Sequence, residues 1–137
     1  MNDRDTLIER LAEIAAAIDT RDWDTIRGAV TDDAHGYGVD GGPEAIVARM
    51  QAHLGGVGAT QHLLGNHRVQ VDGDRARTLT YARVYHVGAG PKEGSFYECL
   101  GEYDDRWSRT DRGWLISRRT FTIRIGLGDF AVLRPAD

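Results

Sequence analysis

Two histidines stand at the far ends of the stretch 60–86, TQHLLGNHRVQVDGDRARTLTYARVYH, which reads as two strands joined by a turn at Asp72-Gly73-Asp74. The unperturbed imidazole pKa, about 6.5, lets one ring take a proton and another release one near neutral pH, so His62 and His86 form a candidate acid/base pair. Upstream, Asp19 lies where one helical pattern ends and the next begins, and Tyr37 is the only large side chain of the polar segment TDDAHGYGVDGG. A buried carboxylate beside one imidazole fixes its orientation and favours its charged form, which separates the roles of the two rings. A phenol can donate to an enolate-like oxygen. Asp19, Tyr37, His62 and His86 together suit acid/base proton transfer, which requires no metal or organic cofactor.

Other chemistries find less support. Five positions separate His62 from His67, which in a regular strand puts them on opposite faces and argues against a metal pair. His35 and His53 read as surface residues of a loop and a helix, and His67 as an exposed strand residue. The single cysteine, Cys99, lies mid-strand without a neighbouring histidine, and the single lysine, Lys92, lies in the loop GAGPKEG, where nothing would desolvate it. That loop has the glycines of a phosphate cradle but leads into a strand, not a helix. The motifs G-x-S-x-G and G-x-x-x-x-G-K-[ST] are absent.

The elements that must position these residues follow from periodicity. Leu7, Leu11, Ile14 and Ile18 recur at helical steps, with Asp3 or Asp5 able to cap the helix they define. Asp22 is a good N-cap for a short second helix carrying Trp23, Ile26 and Val30. A short strand is expected around 34–39. Pro43 after two glycines signals a third helix, buried through Ile46, Val47, Met50 and Leu54. Strands then follow at 60–71, 75–87, 95–109 and 114–124. Helices first and an antiparallel meander afterwards indicate an α+β fold with the helices on one side of a curved sheet. Within 75–87 the even positions, Ala76 to His86, are small enough to line a cavity. The odd ones, Arg77, Leu79, Tyr81, Arg83 and Tyr85, suit a subunit interface, so a homodimer or homotrimer through the outer sheet face is expected. Arg106, Arg109, Arg118, Arg119 and Arg124 read as a mostly solvated or salt-bridged outer face, with room for one to reach a pocket mouth. Phe130, Val132 and Leu133 imply that the tail GLGDFAVLRPAD packs somewhere.

Length and charge bound the remaining possibilities. A chain of 137 residues with 41% hydrophobic content can bury one core but hardly two, and residues 1–137 read as one domain. A net charge of −4 and a pI near 5.7 argue against nucleic acid as a partner, and no apolar run is long enough to cross a bilayer. The charged N-terminus lacks a signal-peptide pattern and one cysteine fits a reducing compartment, so a cytoplasmic location is expected.

The runs AIDTRDWDTIRGAVTDDAHGYG, TQHLLGNHRVQVDGDRART and GEYDDRWSRTDRGWLISRRTF resemble the SnoaL-like polyketide cyclase group of the nuclear-transport-factor-2-like superfamily, and within it the pattern of scytalone dehydratase. The resemblance spans about residues 5 to 124. It implies a cone-shaped fold of three helices closing over a strongly curved, mainly antiparallel sheet, with a pocket inside for a small hydrophobic or aromatic substrate. It also implies that Asp19 holds His86, that His62 of Gln61-His62-Leu63-Leu64-Gly65 is the other catalytic imidazole, and that Tyr37 holds a water on the substrate carbonyl. A second family tyrosine is replaced by Ile18. The implied activity is a cofactor-independent lyase that dehydrates a cyclic or polyketide-like hydroxy-ketone. Isomerase or cyclase activity of the ketosteroid isomerase or SnoaL type, and a non-catalytic ligand-binding module, are the alternatives.

Overall fold

The four residues of the N-terminal apolar stripe, Leu7, Leu11, Ile14 and Ile18, are all buried, and they seat helix α1 (Asp3–Asp19) on the inner face of the sheet. The structure, a computed structural model, describes residues 1–133. Asn2, not Asp3 or Asp5, caps α1: its side chain accepts from the Asp5 N–H at 2.8 Å, while Asp3 is engaged by Arg109 and Trp114. Asp22 caps the second helix as expected, accepting from the Thr25 N–H and hydroxyl. That helix, α2 (Trp23–Arg27), is shorter than its apolar pattern suggests. Gly28 ends it, and Val30 opens strand β1 (Val30–Gly36) instead of continuing the helix. Tyr37 therefore lies just beyond the strand, in a turn, with φ +54°.

Helix α3 (Gly42–Leu54) has Pro43 in its first turn and buries Ile46, Val47 and Met50. Four long strands follow: β2 (Val57–Asp72), β3 (Arg75–Gly88), β4 (Phe96–Thr110) and β5 (Gly113–Gly128). They form one curved, unclosed sheet in the order β1-β5-β4-β3-β2, antiparallel except for the parallel pair β1–β5. The fold is α+β with three helices, as read from the sequence. The two hairpin turns fall at the expected positions, 72–75 and 110–113.

Among the register shifts of the sheet, two change the face of residues read from the sequence. In β2 an extra residue sits between the pairs Gly65–Tyr81 and Arg68–Leu79, with Asn66 at φ +51°. This bulge resets the alternation, so His62 and His67 face the same side. His67 lies against the fully buried Thr80, with Nδ1 3.3 Å from the hydroxyl, and is not the exposed residue on the opposite face that regular spacing implies. In β5 the register shifts between Arg106–Arg118 and Trp107–Ile116, which turns Arg119 inwards while Arg118 stays exposed. Arg119 is thus not part of the outer arginine face. Buried beneath the sheet, it forms a bidentate pair with Asp105 at 2.8 and 3.0 Å and stacks on Tyr103, 3.9 Å from the ring centre.

Along β3 the even file, Ala76 to His86, is buried and the odd file is partly or fully exposed. The outer face presents Leu63, Tyr81, Tyr85, Phe96, Ile125 and Leu127 to solvent. After Gly128 the chain turns back through a short 3-10 segment, Phe130–Leu133, which buries Val132 completely. The end of the tail, 134–137, lies outside the described residues. No helix among them is long and apolar enough to cross a membrane. Leu11 is fully buried in the interface between α1 and the sheet. Leu11→Ala is expected to lower stability by about 2–5 kcal/mol, read as a lower urea midpoint at unchanged slope.

Candidate active site

The C-terminal end of α1 carries Asp19 to the start of β2, where its carboxylate accepts three hydrogen bonds. His62 Nδ1 lies 2.7 Å from Oδ1, the Thr60 hydroxyl donates to the same oxygen at 2.8 Å, and the His62 backbone N–H donates to Oδ2 at 2.9 Å. Burial alone would raise the Asp19 carboxyl, but the hydrogen bonds from His62 and Thr60 outweigh it and hold the group below its ordinary value, hence ionised at neutral pH. An ionised carboxylate only accepts, so Nδ1 of His62 carries the proton.

The resemblance pairs Asp19 with His86; the structure pairs it with His62 instead. α1 ends over the edge strand β2, so the first inward imidazole it meets is on β2, while His86 lies one strand further in, opposite Thr60. His86 is held by the backbone: Nδ1 is 2.8 Å from the Tyr97 carbonyl, again an acceptor only, so this ring too carries its proton on Nδ1 when neutral. Burial holds the His86 pKa below the ordinary imidazole value; the Tyr97 bond opposes that, and the nearby His62 and Arg21 reinforce it. Every buried side-chain nitrogen and oxygen among the described residues has a hydrogen-bond partner. The Nε2 atoms of His62 and His86 have none among the described residues, and both rings border open space.

That space is a cavity of about 160 Å³ lined by both histidines and Tyr37. Ile18, Met50, Leu54, Val84, Phe121, Ile123 and Leu133 give it apolar walls, and His53, Cys99 and Tyr103 add polar ones. Tyr37 Oη accepts from Arg119 Nη1 at 3.1 Å and lies close to the Tyr103 hydroxyl. Burial opposes a charge on Arg119, but Asp105 outweighs it and keeps the guanidinium protonated well above its ordinary value. The Asp105–Arg119 pair thus buttresses Tyr37 from behind the wall. Among the described residues, no three His, Cys, Asp or Glu side chains are grouped as metal ligands. Burial pushes the Cys99 thiol up to about 11, so it faces the cavity as a protonated thiol and not as a nucleophile.

All four candidate residues therefore belong to one site, with Asp19 behind His62 and the other three lining the cavity. Of the other lining residues, Tyr103 was not singled out from sequence, Ile18 was named only as a replaced tyrosine, and His53 was read as a surface residue. Tyr103 belongs to the inward file of β4, Tyr97, Cys99, Gly101, Tyr103, Asp105 and Trp107, and strand alternation alone would have found it. Ile18 removes one phenol from the wall and Tyr103 supplies another. His53 lies near the C-terminal end of α3, exposed and yet part of the cavity lining.

The depressed His86 pKa has a stability consequence. Unfolded, this histidine titrates at about 6.5; folded, it resists protonation, so the unfolded chain binds more protons below that pH. Its contribution is expected to be intact above about pH 6.5 and lost as pH falls towards the folded pKa. Urea unfolding at pH 7 and pH 5 should show lower stability at the acid pH, and His86→Gln should reduce the difference.

With this geometry in view, comparisons with known proteins agree on the family. The family model described as "SnoaL-like domain" matches residues 1–120. The uncharacterized protein Rv2910c of Mycobacterium tuberculosis is 34% identical over 127 residues, covering 89% of this chain and 86% of that one. A candidate aromatic ring hydroxylase from Novosphingobium aromaticivorans superposes with a TM-score of 0.85 at 25% identity over 96% of both chains. A candidate scytalone dehydratase from the same organism (TM-score 0.80, 15% identity, 96% and 89% coverage) has the same fold. So does the hexachlorocyclohexane dehydrochlorinase LinA-type3 of Novosphingobium barchaimii (TM-score 0.79, 16% identity, 93% and 90% coverage). The chain belongs to the SnoaL-like family, within the nuclear-transport-factor-2-like superfamily.

Proposed function

We propose that this protein is a cofactor-independent lyase that dehydrates a small cyclic hydroxy-ketone, with the His62–Asp19 dyad as its base. The observation that carries the reading is the 2.7 Å contact between His62 Nδ1 and an ionised Asp19, which orients the ring so that Nε2 of its neutral form is a lone-pair acceptor at the cavity. Asp19 stabilises the imidazolium that forms when Nε2 takes a proton from the carbon beside the carbonyl. The electron pair moves onto the carbonyl oxygen, where the Tyr37 hydroxyl, polarised by Arg119, donates. When the pair returns, the carbon–carbon double bond forms and the C–O bond to the hydroxyl breaks. The imidazolium gives its proton to the departing oxygen, and water leaves. His86, neutral and with Nδ1–H committed to Tyr97, accepts from the hydroxyl hydrogen and holds that oxygen in place.

Two proteins that share this fold are named for eliminations, a dehydratase and a dehydrochlorinase, which supports the lyase class. The rival outcome is isomerisation or ring closure, in which His62 returns the proton to another carbon. Ile18 favours that rival, because an apolar side chain stands in the wall where the dehydratase pattern has a tyrosine.

The test uses a β-hydroxy cyclohexanone and its benzo-fused tetralone homologue, followed by mass spectrometry. Loss of one water is the expected result; turnover at constant mass points to isomerisation or cyclisation. Binding without turnover, unaffected by His62→Ala, points to a ligand-binding module. Asp19→Asn and His62→Gln are each expected to lower kcat by about 10²–10⁴.

We also propose that the outer sheet face joins copies of this chain, since Tyr81, Tyr85 and Ile125 expose large apolar surface there. Tyr81→Glu with Tyr85→Glu should reduce the mass seen by light scattering to that of the monomer.

A further inference from the structure

Arg21 stands where the backbone favours glycine. It follows the C-cap Thr20, its φ is +59°, its N–H donates to the Ile18 carbonyl at 3.1 Å, and the Asp22 N–H donates to the Ala17 carbonyl at 2.8 Å. Those two bonds close a Schellman cap, whose left-handed residue is usually glycine because an L side chain is strained there. The cap itself needs nothing from an arginine side chain.

The guanidinium has other partners. Nη1 donates to the Ile18 carbonyl at 2.8 Å and to Thr60 Oγ1 at 3.0 Å, and Nη2 donates to the Gly58 carbonyl at 2.8 Å. Thr60 has one hydroxyl hydrogen, and accepting from Arg21 leaves that hydrogen aimed at Asp19 Oδ1, 2.8 Å away. The result is a directed chain from Arg21 through Thr60 to Asp19, which His62 meets from the other side. The same guanidinium ties the end of α1 to the first residues of β2, where the register against β3 shifts between Val57 and Thr60.

We propose that Arg21 is a positioning residue of the acid/base site, which fixes the Asp19 carboxylate against His62 Nδ1–H by way of Thr60. The proposal rests on the reading of His62–Asp19 as the base. Arg21 also places a fixed cation near His86; the other titratable groups around that ring are His62 and Asp19, Tyr97 stacked on it, and Tyr37, His53, Cys99 and Tyr103 in the cavity lining. The cation therefore adds to the burial that keeps the His86 imidazole neutral.

The closing experiment compares Arg21→Gly, Arg21→Lys and the near-isosteric Thr60→Val by NMR of histidine-labelled protein, with turnover of the β-hydroxy cyclohexanone measured alongside. Arg21→Gly relaxes the cap backbone, and is expected to lose the downfield His62 Nδ1–H signal and to raise the His86 titration midpoint. Thr60→Val should lose the signal while leaving the His86 midpoint in place, because the cation remains. Arg21→Lys, or millimolar methylguanidinium added to Arg21→Gly, should restore the signal in part. Turnover should fall by about 10²-fold in Arg21→Gly, with the loss in kcat and not in KM.

An unchanged His62 signal and an unchanged His86 midpoint in Arg21→Gly would overturn the proposal. If Arg21→Gly does not fold, loss or retention of the signal in Thr60→Val decides the relay. The NMR measurements need no substrate. Turnover by the parent with both signals indifferent to Arg21 sinks the positioning role and spares the lyase reading; responsive signals without any turnover do the reverse.

Discussion

The carboxylate of Asp19 has to remain ionised and fixed at a partly buried position, and much of the architecture around it serves that requirement. A carboxylate leaving bulk water is stable only if hydrogen bonds replace its hydration. Here they come from three donors on β2, two of them on His62 itself. The apolar stripe of α1 supplies the packing that holds the helix end in place, because Leu7, Leu11, Ile14 and Ile18 bury the face that points to the sheet. Ile18 is thus both the last rung of that stripe and part of the cavity wall, one residue before the carboxylate.

The opposite wall solves a similar problem by different means. Arg119 and Asp105 are buried as a bidentate pair, an arrangement that contributes little net stability but is costly to break singly, on the order of 3–5 kcal/mol. Its evident structural product is the orientation of Tyr37, whose oxygen accepts from the third guanidinium nitrogen. The two histidines and the phenol are therefore each held from behind by a group that does not itself face the cavity: Asp19, the Tyr97 carbonyl and Arg119.

Residue patterns that obey a single period were legible in the sequence. The helical stripe, the small inward file of β3, the hairpin turns and the N-cap role of Asp22 all follow from local chemistry, and the order of helices and strands sufficed for the α+β class. Residue type and placement drew attention to His62 and His86, and the family resemblance joined Asp19 and Tyr37 to them. What escaped were the breaks in period. The bulge at Asn66 moved His67 onto the same face as His62, and the shifted register of β5 turned Arg119 inwards instead of out. The β2 break is hinted at by Gly65-Asn66 inside the strand pattern, whereas the β5 break, at Ser117, carries no glycine or proline to punctuate it. The partner of Asp19 was a matter of how far α1 reaches across the sheet, which depends on packing and not on spacing.

The parallel pairing of β1 with β5 brings the remote ends of the chain together, setting Val30 beside Ile116. The hairpins β2–β3, β3–β4 and β4–β5 can each close a short loop, whereas β1 must wait until β5 exists. A strand joined across so much chain loses loop entropy before its contacts compensate, and folds of this kind assemble slowly. Tyr37 is attached to that late strand, and Arg119, which orients it, lies on the other. The Arg119–Tyr37 contact therefore depends on a pairing between distant segments, so a chain interrupted before β5 could form the His62–His86 hairpin and still lack the donor that orients Tyr37.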